Sequence, residues 1–250
     1  DDANKYGSSG NMEVTDDGMI FMSSSDELDG GGRYWGEGIP IAHNGGVHYE
    51  NKWNNDKESI NTNYKAGSLN VKINKNTINQ RNLPDAIFNT NSTANTENDM
   101  FRQKIDATYN IKLDTTSNLK VTIDGTLKNS ESDVIDNSVG RRGDNSLLNT
   151  ADRKTDNKTK QQVFNLSAFY TKKLKKAGRN FSINLSQAYN KSNSDGFLKS
   201  INNFFDENED LTSTEKIDQL KDNSILTNRL SSNVTFTEPL SKSLSLVANY

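Results

Sequence analysis

The chain has 250 residues, and its 33 acidic and 30 basic residues give a formal net charge of −3, so it lacks the basic field that nucleic-acid binding needs. Only 31% of residues are hydrophobic and mean hydropathy is −0.86, too little for an ordinary packed core unless the apolar residues are concentrated in particular places. There is no cysteine, hence no disulfide, thiolate metal site or cysteine nucleophile, and no apolar run reaches the roughly 20 residues of a membrane helix.

The chain opens Asp1-Asp2-Ala3-Asn4, without a start Met, a basic n-region or an apolar h-region, and so reads as an internal piece of an exported protein. Residues 1–44 read as a Gly-rich entry segment. Its Gly30–Gly38 stretch, GGGRYWGEG, lacks the G-x-G-x-x-G spacing of a nucleotide loop. Its simplest reading is a loop over the mouth of a larger structure. Its functional reading makes Arg33, Tyr34 and Trp35 a ligand-contacting tip, because rigid aromatics beside Arg are favoured at binding hot spots.

From residue 45 onward the pattern has period 2, the signature of half-buried strands. Val47, Tyr49 and Trp53 come first, then Ile60, Thr62 and Tyr64. Leu69, Val71 and Ile73 continue on the opposite parity, which predicts a bulge at Gly67. Ile105, Ala107, Tyr109, Ile111 and Leu113 form the clearest strand, and Leu119, Val121, Ile123 and Leu127 its hairpin partner. Phe164–Tyr170, Phe181–Tyr189, Leu226–Phe236 and Leu244–Tyr250 complete about eight strands.

The connections alternate in length. Short ones are predicted at Asn54–Lys57, Asp114–Asn118, Thr171–Arg179 and Thr237–Ser243, and long polar ones at Ala66–Asp99, Asn129–Lys160 and Lys191–Asn223. In a meander every second link lies at the same end, so one end is trimmed and the other elaborated. The predicted fold is therefore all-β. It is an antiparallel up-and-down meander of about eight strands from a larger transmembrane β-barrel, with short periplasmic turns and long extracellular loops. Residues 45–250 form that partial barrel. Aromatics near the strand ends fit interfacial girdles, although a soluble antiparallel sheet also alternates apolar and polar residues.

Chemical motifs are sparse. Asp206–Asp210, DENED, imitates a calcium loop but has Leu211 where the sharp turn needs Gly and Ile217 in the twelfth position. Arg142-Gly143-Asp144 matches an integrin-binding tripeptide. Lys172, Lys173, Lys175, Lys176 and Arg179 make a basic turn. His43 and His48 have no nucleophile or carboxylate pair placed around them, and no H-E-x-x-H, G-x-S-x-G or Walker sequence occurs. The expectation is a non-enzyme with no catalytic residue, no metal and no cofactor.

DELDGGGRYWGEGIPIAHNGG at Asp26–Gly46, VHYENKWNNDKESINTNYK after it and NLPD at Asn82–Asp85 recur in a recognisable order with later segments. These are FRQKIDATYNIKLD at Phe101–Asp114, TEPLSKS at Thr237–Ser243 and the final SLVANY. Together they resemble the TonB-dependent receptor-type outer-membrane β-barrel proteins that carry a carboxypeptidase-regulatory-like domain. The resemblance implies a gated importer in the outer membrane of a Gram-negative bacterium, with outer-membrane lipid around it. It also implies a plug domain in the lumen, a TonB energy-coupling complex and a nutrient ligand. No plug, regulatory-like domain or coupling box is found in these 250 residues. Two further classes stand beside this one: a complete small eight-stranded barrel with a structural or adhesive role, and a soluble secreted β-sheet binding module.

Overall fold

The computed structural model describes residues 12–14, 20–22, 36–84, 86–241 and 244–250. Strands β1 (Met12–Val14) and β2 (Ile20–Met22) pair antiparallel as a small ribbon. Eight further strands form one antiparallel sheet: β3 (Ile39–Trp53), β4 (Glu58–Leu83), β5 (Ala86–Lys112), β6 (Ser117–Arg142), β7 (Leu147–Lys173), β8 (Asn180–Phe205), β9 (Leu211–Pro239) and β10 (Ser245–Asn249). Each pairs with its sequence neighbours, in the order β10-β9-β8-β7-β6-β5-β4-β3. The chain is thus an all-β up-and-down meander, and no helix occurs among the described residues. The sheet is not closed: β3 and β10 stand at opposite edges, so these eight strands do not form a small complete barrel by themselves.

The short connections fall close to their expected places. Asn54–Lys57 is a tight turn in which Asn54, Asn55 and Asp56 all adopt left-handed backbone angles. Asn and Asp tolerate that region better than other side chains. At the next turns β5 stops at Lys112, one residue short of the pattern, while β7 and β9 run slightly further than it indicates, to Lys173 and Pro239.

The long connections are not loops, contrary to the sequence-based expectation. Ala66–Asp99, Asn129–Lys160 and Lys191–Asn223 are the distal halves of β4 to β9, paired residue for residue. Their actual reversals are short, between Leu83 and Ala86, at Gly143–Ser146 and at Asp206–Asp210. The physical reason is that ladder pairing satisfies the backbone whatever the side chains are. A polar segment entering from an already paired strand can therefore extend the ladder without an apolar face. Strands of 26 to 29 residues result, whereas about 9–11 suffice to cross a bilayer.

The Gly67 bulge is likewise absent. Gly67 sits in unbroken register opposite Asn44 and Arg102, and the shifts lie at Gly140/Arg141 and Phe204/Phe205. The change of parity along β4 is therefore a change of face. Leu69 and Val71, the two buried hydrophobic residues among those described, pack with Ile73 and Met100 on the opposite side from Ile60 and Tyr64.

Candidate functional site

Register sorts the side chains onto two faces. One face carries Ile60 and Tyr64 of β4, opposite Tyr109 and Ile105 of β5. It continues through Val121, Ile123 and Leu127 of β6 and Ala168, Leu166 and Phe164 of β7. Ile183, Leu185 and Tyr189 of β8 and Val234, Leu230 and Leu226 of β9 complete the band. These residues are not covered. Ile105, Ile123, Leu166 and Leu185, all with strands on both sides, remain 42% to 45% exposed.

Along β9 the band runs from Leu226 to Phe236, about 34 Å of strand at roughly 3.4 Å per residue. At a barrel tilt of about 40° that corresponds to roughly 26 Å of height. Aromatic pairs mark both margins. At the short-turn margin Trp53 stacks on Tyr109 with centroids 6.1 Å apart. The Trp53 indole N–H and the Tyr109 hydroxyl donate to the same Oε2 of Glu58, at 2.7 and 2.6 Å. At the far margin Phe164 meets Tyr189 at 6.3 Å.

Three rows beyond the Phe164–Tyr189 pair the same face turns charged. Asp99, Glu131, Lys158, Asp195 and Asp222 follow in one row across five strands. Lys158 pairs with Glu131, Lys72 with Glu97 at 3.1 Å and Lys154 with Asp156 at 3.5 Å. Asp133 lies directly opposite Asp156. The hydrogen bond between their carboxyls, with burial and the repulsion of like charges, pushes the Asp133 carboxyl up, while that same hydrogen bond and the nearby Lys154 draw the Asp156 carboxyl down.

The opposite face is largely polar at the level of the band, with Phe169, Val163 and Ile225 as apolar exceptions. One row shows its construction. His48 Nδ1 lies 2.6 Å from Asn63 Oδ1, Asn63 donates to Asp106 at 2.7 Å, Asp106 lies in register with Asp124, and Asn165 donates to Asp124 at 3.5 Å. Neighbouring rows add Ser167 donating to Asn184 at 3.0 Å and a 2.7 Å hydrogen bond between Ser186 and Ser231. Such a face is at home beside water, while the banded face is not.

The chain matches no known family profile and no curated protein. The functional reading therefore rests on these two faces and on the turns.

The turns are tied by ion pairs and carbonyl contacts. Glu238 accepts two hydrogen bonds from Arg179, at 2.5 and 2.8 Å, and one from Lys176 at 2.7 Å. These cations draw its carboxyl down to about 2. Asp114 accepts from Thr116, Ser117 and Lys172, which hold it far below the usual carboxylate range. Three of the five cations in the basic turn are thus engaged internally. At the other end, the Arg142 guanidinium donates to the carbonyls of Leu147, Phe205 and Asp206 at 2.6 to 2.9 Å. Glu209 accepts from the Leu147 amide at 2.7 Å. Arg142 is thereby committed to joining two turns, which argues against use of Arg142-Gly143-Asp144 as an adhesive tripeptide. Asp206 likewise accepts the amides of Asn208 and Asp210, forming an ordinary turn rather than a calcium loop.

Arg33, Tyr34 and Trp35 lie outside the described residues. The histidines do not converge: His48 faces the polar row, and His43 stands on the banded face opposite Ser68. The Trp53–Glu58–Tyr109 rim and the charged belt escaped the residue-by-residue reading. The alternation carried the signal for them, but only the register shows which residues of different strands share a row.

Proposed function

We propose that this chain forms part of the wall of an outer-membrane β-barrel receptor and transporter of the TonB-dependent type, in a Gram-negative bacterium. The observation that carries the reading is the uncovered apolar band, roughly 26 Å high, edged by aromatic pairs and backed by a largely polar face. In water such a band is a liability. Against hydrocarbon it is the favoured surface, and the polar rows then line a wetted lumen.

In this reading the short turns are periplasmic and the distal halves of β4 to β9 stand outside the membrane as a polar wall. That wall replaces the expected loops as the ligand-facing surface, together with the Arg33–Trp35 tip. The open edges at β3 and at β10, with the part of β9 that the short β10 leaves uncovered, call for further strands, because unpaired backbone is not tolerated in lipid. A plug in the lumen, the TonB coupling complex and an unidentified nutrient are the corresponding partners. The protein's role is binding and passage rather than catalysis.

Fractionation tests this. The full-length protein should be recovered with outer membranes and should need detergent to leave them. Recovery in the soluble fraction, with no detergent requirement, would sink the proposal in favour of a secreted sheet module.

A further inference from the structure

The margin between the apolar band and the charged belt is chemically specific. Phe164 and Tyr189, register partners, form the last aromatic pair, beyond which the band narrows to Leu127 and Leu226. In the next row Lys191 of β8 pairs with Gln162 of β7, and in the row after it Lys160 of β7 pairs with Asn129 and Asn193. Lys160 and Lys191 are therefore diagonal neighbours on adjacent strands of one face, within reach of a shared ligand. Lys158, one row further out, is occupied by Glu131, but neither Lys160 nor Lys191 forms an ion pair among the described residues. A shallow hollow on this face at the same level is lined by Phe101, Asn129, Glu131, Lys158 and Lys160.

We infer that Lys160 and Lys191 bind the phosphate of an anionic lipid headgroup whose acyl chains lie on the band beside Phe164 and Tyr189. This rests on the membrane reading above. The argument is one of complementarity. Lipid is apolar and then anionic, and this face is apolar and aromatic and then offers Lys191 and Lys160 in successive rows, before the mixed-charge row of Lys158. Lysine stems can lie along the apolar margin while the ammonium reaches the phosphate. Gln162, Asn129 and Asn193 add amide donors in the same rows. The basic turn at the other end is a poorer headgroup site, because Lys172, Lys176 and Arg179 are already paired with Asp114 and Glu238.

The test uses full-length protein in neutral detergent micelles, titrated with short-chain phosphatidylglycerol and, separately, short-chain phosphatidylcholine. Native mass spectrometry reads the lipid retained. The wild type should prefer phosphatidylglycerol about thirtyfold, from two lysines near a charged headgroup, and should lose most of that preference in high salt. K160Q/K191Q should abolish the preference while keeping phosphatidylcholine binding and heat-modifiable mobility, the latter being the check on folding. K172Q/K175Q should leave the preference intact. Retention of the preference in K160Q/K191Q, or its loss in K172Q/K175Q, overturns the inference and leaves the membrane reading standing. A protein that is soluble without detergent and retains neither lipid overturns both.

Discussion

Replacing Ile123 with Arg gives the sharpest test of which face meets hydrocarbon. Ile123 lies midway between Leu119 and Leu127 on β6, with Ala107 and Leu166 as its register partners. Four residues at roughly 3.4 Å put it about 14 Å along the strand from either end of that run, or about 10 Å in depth at a 40° tilt. That is close to the midplane, where Arg on a lipid-facing strand costs about 2–4 kcal/mol, some 30- to 800-fold in the folding equilibrium. Thr122→Arg moves the same charge by one residue, to the face where Thr122 pairs with Thr108 and Ser167, and should cost under about 1 kcal/mol. Leu127→Arg, at the margin, should fall near 0–1 kcal/mol. Guanidinium unfolding in phospholipid vesicles, followed by tryptophan emission, measures all three. Equal costs for Ile123→Arg and Thr122→Arg, or a neutral Ile123→Arg, would refute the assignment of faces.

Other outcomes follow from the turns and the distal wall. Glu238 has its carboxyl drawn down to about 2 by Arg179 and Lys176. Its contribution is present above the unfolded value near 4.5 and is lost as pH falls towards 2. Glu238→Gln should therefore lower Tm at neutral pH and flatten the acid limb of the Tm–pH curve between those values. Asp133 is raised because it faces Asp156, so at pH 7 it opposes folding. Asp133→Asn should raise Tm at pH 7, and the gain should fade as pH falls into the carboxylate range and the wild-type group takes up its proton. Arg142→Ala removes three guanidinium contacts to the carbonyls of Leu147, Phe205 and Asp206. At about 1 kcal/mol each it should speed amide exchange at Asn145 and Glu209, whose N–H groups close these two turns, with little change at the opposite end of the sheet.

The sequence by itself determined the class of structure and its proximal half. Alternation at Ile105–Leu113 and Leu119–Leu127 is enough to require antiparallel strands with one apolar face, because side chains alternate with period 2. Asn54-Asn55-Asp56 signals a tight turn because those residues accept left-handed angles. The distal half was less legible. Segments such as Asn89–Asn98 and Ser130–Ser138 have the composition of loops, and local composition does not report whether a backbone has a partner. Their strand character is set by the neighbouring ladder, in which each added polar residue gains its hydrogen bonds from the strand alongside.

Only the tertiary structure decided which residues share a row. The parity change at Gly67 reads as a bulge in one dimension. In the sheet it carries Leu69 and Val71 to the opposite face, because the register with β3 and β5 holds them there. Glu58 between Trp53 and Tyr109, Asp133 against Asp156, and Lys160 beside Lys191 are likewise consequences of pairing between strands. Periodicity along a strand fixes the face on which a side chain stands, and register across strands fixes its neighbours.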